Sequence, residues 1–89
     1  MFIEVYTKED CSFCKKSKNL LNKKNIPFTE YRLDVHFTRE IILEKYHGVK
    51  SFPVIVVDGF RIGGFMELEK MLKEQEKIVK SNQILLNEG

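Results

Sequence analysis

The stretch Glu9-Asp10-Cys11-Ser12-Phe13-Cys14 holds both cysteines of an 89-residue chain, three positions apart. Two thiols at that spacing can form half of a metal site, close a structural staple, or trade electrons as a dithiol and a disulfide. Structural zinc takes about four ligands, usually two Cys-x-x-Cys halves or a cysteine pair with a closely spaced histidine pair. The further candidates here are His36 and His47, with ten residues between them, so no metal set is expected. A bridge across so short a loop adds little stability. Electron trading suits the pair better, because C-x-x-C after a strand and before a helix is a redox context.

The nucleophile in disulfide exchange is a thiolate, and a free cysteine with a pKa near 8.5 is little ionised at neutral pH. The first turn of a helix offers unpaired N–H groups and the positive end of its dipole, which favour an anion. Cys11 stands at such a start, with Lys8 three residues before it and Lys15 four after it. Cys14 falls one turn later on the same face, within reach for a disulfide. Cys11 is therefore expected to attack and Cys14 to resolve.

The surrounding sequence must supply that helix and hold it. Residues 2–6, FIEVY, read as a strand. From Cys11 to about Lys24, Phe13, Cys14, Ser17, Leu20 and Leu21 share one face, and Lys15, Lys16, Lys18, Lys23 and Lys24 the other, as in an amphipathic helix. Pro27 ends it. Residues 28–33 alternate as a second strand with one wetter face. Thr38 is a candidate N-cap for a short helix with Ile41, Ile42, Lys45 and Tyr46 on one side and Gly48 as its stop. Val54 to Val57 is an apolar run, Asp58-Gly59 a two-residue hairpin turn, and Phe60 to Ile62 the returning strand. Gly63-Gly64 breaks that strand. Phe65, Leu68, Met71 and Leu72 then recur at helical spacing to about Lys80, with SNQILLNEG as a tail. The order β-α-β-α-β-β-α predicts an α/β fold: one four-stranded mixed sheet with helices on both faces, a domain over 1–80 and a C-terminal tail over 81–89.

The bulk numbers agree with one small globular domain: 43% hydrophobic, 31% charged, net charge +2. The mild basic excess does not imply nucleic acid. No apolar run approaches the roughly 20 residues of a membrane helix, and FIEVY after Met1 is no signal peptide. A cytoplasmic protein is expected, a compartment in which a lone C-x-x-C is seldom structural.

Three motifs together resemble the glutaredoxins, within the thioredoxin fold. Cys11-Ser12-Phe13-Cys14 is similar to that family's C-P-Y-C, with Ser for Pro and Phe for Tyr. Ser51-Phe52-Pro53-Val54 resembles its T-V-P-x, and Gly63-Gly64-Phe65-Met66-Glu67-Leu68 its G-G motif. Their order and spacing agree to about residue 80. The thioredoxin signature W-C-G-P-C is absent, and the chain has no Trp.

The resemblance implies a cis peptide at Pro53 facing the cysteines, and a glutathione groove. Lys8 would pair with a glutathione carboxylate, and the Phe52 main chain would bond the cysteinyl part. Phe13, Pro53 and Gly64 would line the groove. Phe65, Met66 and Glu67 stand where the family often has a small residue, a Ser/Thr and an Asp around the γ-glutamyl end. Met66 cannot replace a hydroxyl, while Glu67 keeps the charge on a longer arm. Arg39 is a further basic candidate. His36 and His47 read as surface or loop residues, Phe60 and Phe65 as hairpin and core aromatics. The implied activity is a thiol–disulfide oxidoreductase, glutathione-dependent and monomeric. It would reduce protein disulfides, ribonucleotide reductase among the family's typical clients, and glutathione mixed disulfides, in electron transport and cell redox homeostasis. Two alternatives stand beside it. Some glutaredoxin-like proteins are reduced by thioredoxin reductase. Some members with Ser for the active-site Pro hold a [2Fe-2S] cluster between two subunits, through the first cysteine, here Cys11, and glutathione.

Overall fold

A computed structural model of the chain describes residues 1–88, with side chains through Glu76. Its elements are β1 (Ile3–Thr7), α1 (Ser12–Lys23), β2 (Thr29–Arg32), α2 (Arg39–Lys45), β3 (Val54–Val57), β4 (Phe60–Gly63) and α3 (Phe65–Glu88). The sheet runs β2-β1-β3-β4. β1 pairs parallel with β2, and β3 antiparallel with both β1 and β4. The expected mixed sheet is therefore observed.

Strand alternation divides the apolar residues between two faces. On one, Ile3, Val5 and Ile55 pack with Leu21 of α1 and with Leu68 and Leu72 of α3. On the other, Tyr6, Val54 and Val56 pack with Phe37 and with Ile42 of α2. Each strand of the central pair is thus covered on both sides, which holds rigid the strand ends from which the cysteine helix and the proline loop depart.

Local chemistry sets the boundaries. Asp58 and Gly59 have φ of 51° and 87°, the positive pair that a tight hairpin turn requires. The Phe2 N–H donates to Asp58 Oδ1 at 2.7 Å, and the Asp58 N–H to Phe2 O at 2.8 Å. Phe2 is consequently an exposed tie at the strand's foot rather than part of β1. Thr38 caps α2 as expected, its Oγ1 accepting the Ile41 N–H at 3.3 Å. Ile41 itself is 54% exposed while Ile42 is buried; adjacent residues sit about 100° apart on a helix, and only Ile42 points at the sheet. α2 ends at Lys45, before Gly48. Phe60, read as a hairpin or core aromatic, is 77% exposed on the edge strand. α3 extends to Glu88, beyond the end expected near Lys80. The packing of 81–89, which decides between domain and tail, lies outside the described side chains.

Candidate active site

Cys11 is the N-cap of α1, with extended φ and ψ of −117° and 105°. Its Sγ accepts the Cys14 N–H at 3.2 Å, the place a capping oxygen takes at other helices. Asp10, at φ 53°, turns the chain into that position. Cys11 and Cys14 are joined as a disulfide with their Cα atoms 5.2 Å apart. Cys14 is 2% exposed and Cys11 8%, so the attacking position is the more accessible. The first turn of α1 carries no acidic residue. Its dipole is therefore free to favour an anion on Cys11. Ser17, buried on the same face, donates to Phe13 O at 2.8 Å and holds the first turn closed.

The loop before β3 faces the pair. The Phe52–Pro53 peptide is cis, as the resemblance implied, and Cys11 Sγ lies 3.6 Å from Phe52 O. Beside this contact runs a groove of about 360 Å³. Phe13, Phe52, Pro53, Gly64, Phe65, Met66 and Glu67, all singled out from the sequence, line it together. The Phe13 and Phe65 rings, both in its lining, meet at a tilt with centroids 5.9 Å apart, and Lys16 lies 4.9 Å over the Phe13 ring. Met66 is 65% exposed.

Lys8 does not line this groove. It borders the neighbouring hollows, one with the cysteines and one with Arg32 and Arg39. Arg39 lies 5.8 Å over the Phe52 ring. Glu67 is committed locally: the Gly64 N–H donates to its Oε1 at 2.7 Å, while Gly64 O accepts the Leu68 N–H. Glu67 is thus the third residue of α3 folding back on its own cap, one half of a capping box. Gly63 makes room for that fold. A Cβ there would stand 2.6 Å from Glu67 Cγ, and its φ of 136° is unfavourable for a side chain.

Sequence reasoning missed Lys50 and Arg61, which supply the groove's cations; Arg61 also donates to His47 O at 2.9 Å, tying β4 to the loop after α2. It missed Lys18 as well, placed on the outer face of α1 but ion-paired to Glu30 of β2 at 3.0 Å. The Thr7 hydroxyl donates to the same oxygen at 2.7 Å. Partial burial alone would push Glu30 up, but the Thr7 and Lys18 hydrogen bonds outweigh it and hold the carboxyl below its ordinary 4.5. A depressed folded-state pKa contributes stability that is present above about pH 4.5 and lost as pH falls through the folded value. Urea titrations at neutral pH and below pH 4 are expected to show this loss, and Glu30→Gln to reduce it. An unchanged acid slope in Glu30→Gln would contradict the assignment.

Two cysteines one turn apart at a helix start, opposed by a proline loop on a four-stranded mixed sheet, define a thiol–disulfide oxidoreductase of thioredoxin-like fold. The family model for glutaredoxin matches residues 3–62. Glutaredoxin 3 of Escherichia coli K12 is 35% identical over 66 residues, covering 74% of this chain and 80% of that one. The crystal structure of glutaredoxin 1 from Francisella tularensis, complexed with cacodylate, superposes with a TM-score of 0.67 at 27% identity, covering 89% and 96% of the two chains. The buckwheat glutaredoxin–glutathione complex shares the fold, with a TM-score of 0.71 at 19% identity over 85% and 72%. The chain belongs to the glutaredoxin family.

Proposed function

We propose that this glutaredoxin is a dithiol, glutathione-dependent enzyme of the cytoplasm, working as a monomer in electron transport to protein disulfides and glutathione mixed disulfides. Cys11 attacks the target sulfur, and either Cys14 or glutathione releases the product. The observation that carries the reading is Cys11 at the N-cap of α1, its Sγ bonded to the Cys14 N–H and set against Phe52 O at the edge of the groove.

Glutathione suits that groove by size and charge. Pockets for small ligands run from about 300 Å³ upward, and Lys50 and Arg61 stand ready for its two carboxylates. Phe13 and Phe65 would flank the tripeptide, and the Phe52 main chain would bond its cysteinyl part beside Pro53. Lys8 would act from outside the groove, on the side of the cysteines. The buckwheat relative is solved with glutathione, in keeping with this choice of reductant. No helix among the described residues is long and apolar enough to cross a membrane.

The γ-glutamyl end is where affinity is weakest. Met66 offers no hydroxyl, and the Gly64 N–H is already taken by Glu67. These two features favour reduction by thioredoxin reductase as the second reading. The cluster-carrier reading rests on Ser12 alone and gains no support from the geometry. A side-chain hydrogen bond contributes about 0.5–1.5 kcal/mol net, so Met66→Thr should improve apparent glutathione affinity roughly threefold to tenfold. The assay is turnover of a glutathionylated peptide against glutathione concentration. Turnover that does not depend on glutathione would overturn the proposal.

A further inference from the structure

A second, smaller cavity of about 220 Å³ opens on the disulfide itself. Cys11 and Cys14 form part of its wall, with Thr7, Lys18 and Glu30 facing them. Lys18 lies four residues after Cys14, so the two share a helix face. Glu30 reaches across from β2 and takes the Lys18 ammonium at 3.0 Å, its position fixed by the Thr7 hydroxyl. Thr7 is buried, and Lys18 and Glu30 side chains are only 30% and 26% exposed.

In the reduced protein Lys18 would be one of the cations around a thiolate at Cys14, and the one that shares its helix face. Glu30 engages that cation and brings a negative charge into the same cavity. Both effects disfavour ionisation of Cys14, whereas Cys11, at the helix N-cap, keeps the dipole to itself. We infer that Glu30, by holding Lys18, keeps Cys14 a protonated thiol and so prolongs the mixed disulfide on Cys11, favouring its release by glutathione over its release by Cys14. Glu30 is on this account a positioning residue that sets the partition between two routes. The inference rests on the roles proposed above for Cys11 and Cys14.

The two routes differ in one step. In the two-cysteine route the Cys14 thiol loses its proton to water, and the thiolate attacks Cys11 Sγ. The Cys11–Cys14 bond forms, the bond from Cys11 to the client sulfur breaks, and the client leaves as a thiolate that takes up a proton. The client has then gained two electrons and the cysteine pair has lost them. In the one-cysteine route a glutathione thiolate attacks Cys11 Sγ instead. The Cys11–glutathione bond forms, the bond from Cys11 to the client sulfur breaks, and the client leaves as a thiolate that takes up a proton. A second glutathione thiolate then attacks the glutathione sulfur, glutathione disulfide forms and Cys11 leaves as a thiolate. Whatever holds the proton on Cys14 slows the first route and leaves the second untouched.

Other charges border this cavity. Lys8, Glu9 and Asp10 come from the loop before α1, Lys15 from α1, and Arg32 from β2. They are common to every variant below, so comparison of variants isolates the Lys18–Glu30 pair.

The test reads Cys14 alone, in a Cys11→Ser background, as iodoacetamide alkylation rate against pH. One pKa unit is a tenfold change in thiolate fraction. Adding Glu30→Gln frees the Lys18 ammonium and is expected to raise the rate near pH 7 about threefold to tenfold. Adding Lys18→Met instead leaves the Glu30 charge uncompensated and is expected to lower it. Opposite shifts support the inference. No shift, or shifts of the same sign, would overturn it, since loosened packing would move both variants alike. The measurement does not involve glutathione or the reactivity of Cys11, so its failure is distinct from failure of the proposed function.

Discussion

Cys11→Ser is expected to lower disulfide exchange on every substrate by at least about a thousandfold, the scale on which loss of a nucleophile is felt. Cys14→Ser is expected to retain turnover of glutathione mixed disulfides and to lose activity on clients that need both thiols. The asymmetry follows from where the two sulfurs stand. Cys11 occupies the N-cap, receives a main-chain N–H and lies against Phe52 O, while Cys14 is buried a turn further in. A thiolate at the N-cap is stabilised by donors that an oxidised or neutral sulfur uses less well. Alkylation rates of the two single-cysteine variants against pH check the ordering. If Cys14 ionises at lower pH than Cys11, the assignment of nucleophile and resolving thiol is reversed.

The largest effect on stability is expected from Leu21→Ala. Leu21 is fully buried on α1 between Ile3, Val5 and Ile55 of the sheet and Leu68 of α3. It lies seven residues after Cys14, two turns along the same helix, and so fastens the cysteine helix to the strands that carry the proline loop. Removing a buried leucine side chain costs about 2.7–5 kcal/mol, against a total stability of about 5–15 kcal/mol for a domain. Thermal denaturation should show a Tm lower by at least about 10 °C. Ile41→Ala, on the exposed side of α2, should stay within about 0.5 kcal/mol of the parent. Equal losses in the two variants would contradict the packing described.

Much of this was legible in the sequence, because strands and helices announce themselves by period and punctuation. FIEVY states its strand by aromatic and β-branched residues and VIVV by an unbroken apolar run, and the structure then divides Tyr6 and Val54 from Val5 and Ile55 between the two faces. Asp58-Gly59 states its turn, and Thr38 its cap. The cysteine spacing states its chemistry. The cis bond at Pro53 came only through the resemblance to a family, since composition does not distinguish cis from trans. Lys18 was misplaced because a helical wheel sorts residues by hydropathy alone. It has no knowledge of a carboxylate twelve residues away that will be carried alongside by a parallel strand. Glu67 lines the groove, and a Glu three residues after the cap of a helix is also the signature of a capping box. Its local partner, the Gly64 N–H, needs no tertiary structure to be found. Phe60 illustrates the remaining difficulty. Its strand was correctly placed, but which face of an edge strand is covered depends on the elements that pack there, and among the described residues none covers Phe60.

The choice of electron donor is the most direct test of the whole account. The oxidised wild-type protein is offered NADPH with glutathione and glutathione reductase, and separately NADPH with thioredoxin reductase alone, while NADPH consumption is followed. Fast reduction that rises with glutathione concentration, and slow reduction by thioredoxin reductase, is the predicted result. Reduction indifferent to glutathione but fast with thioredoxin reductase would contradict it.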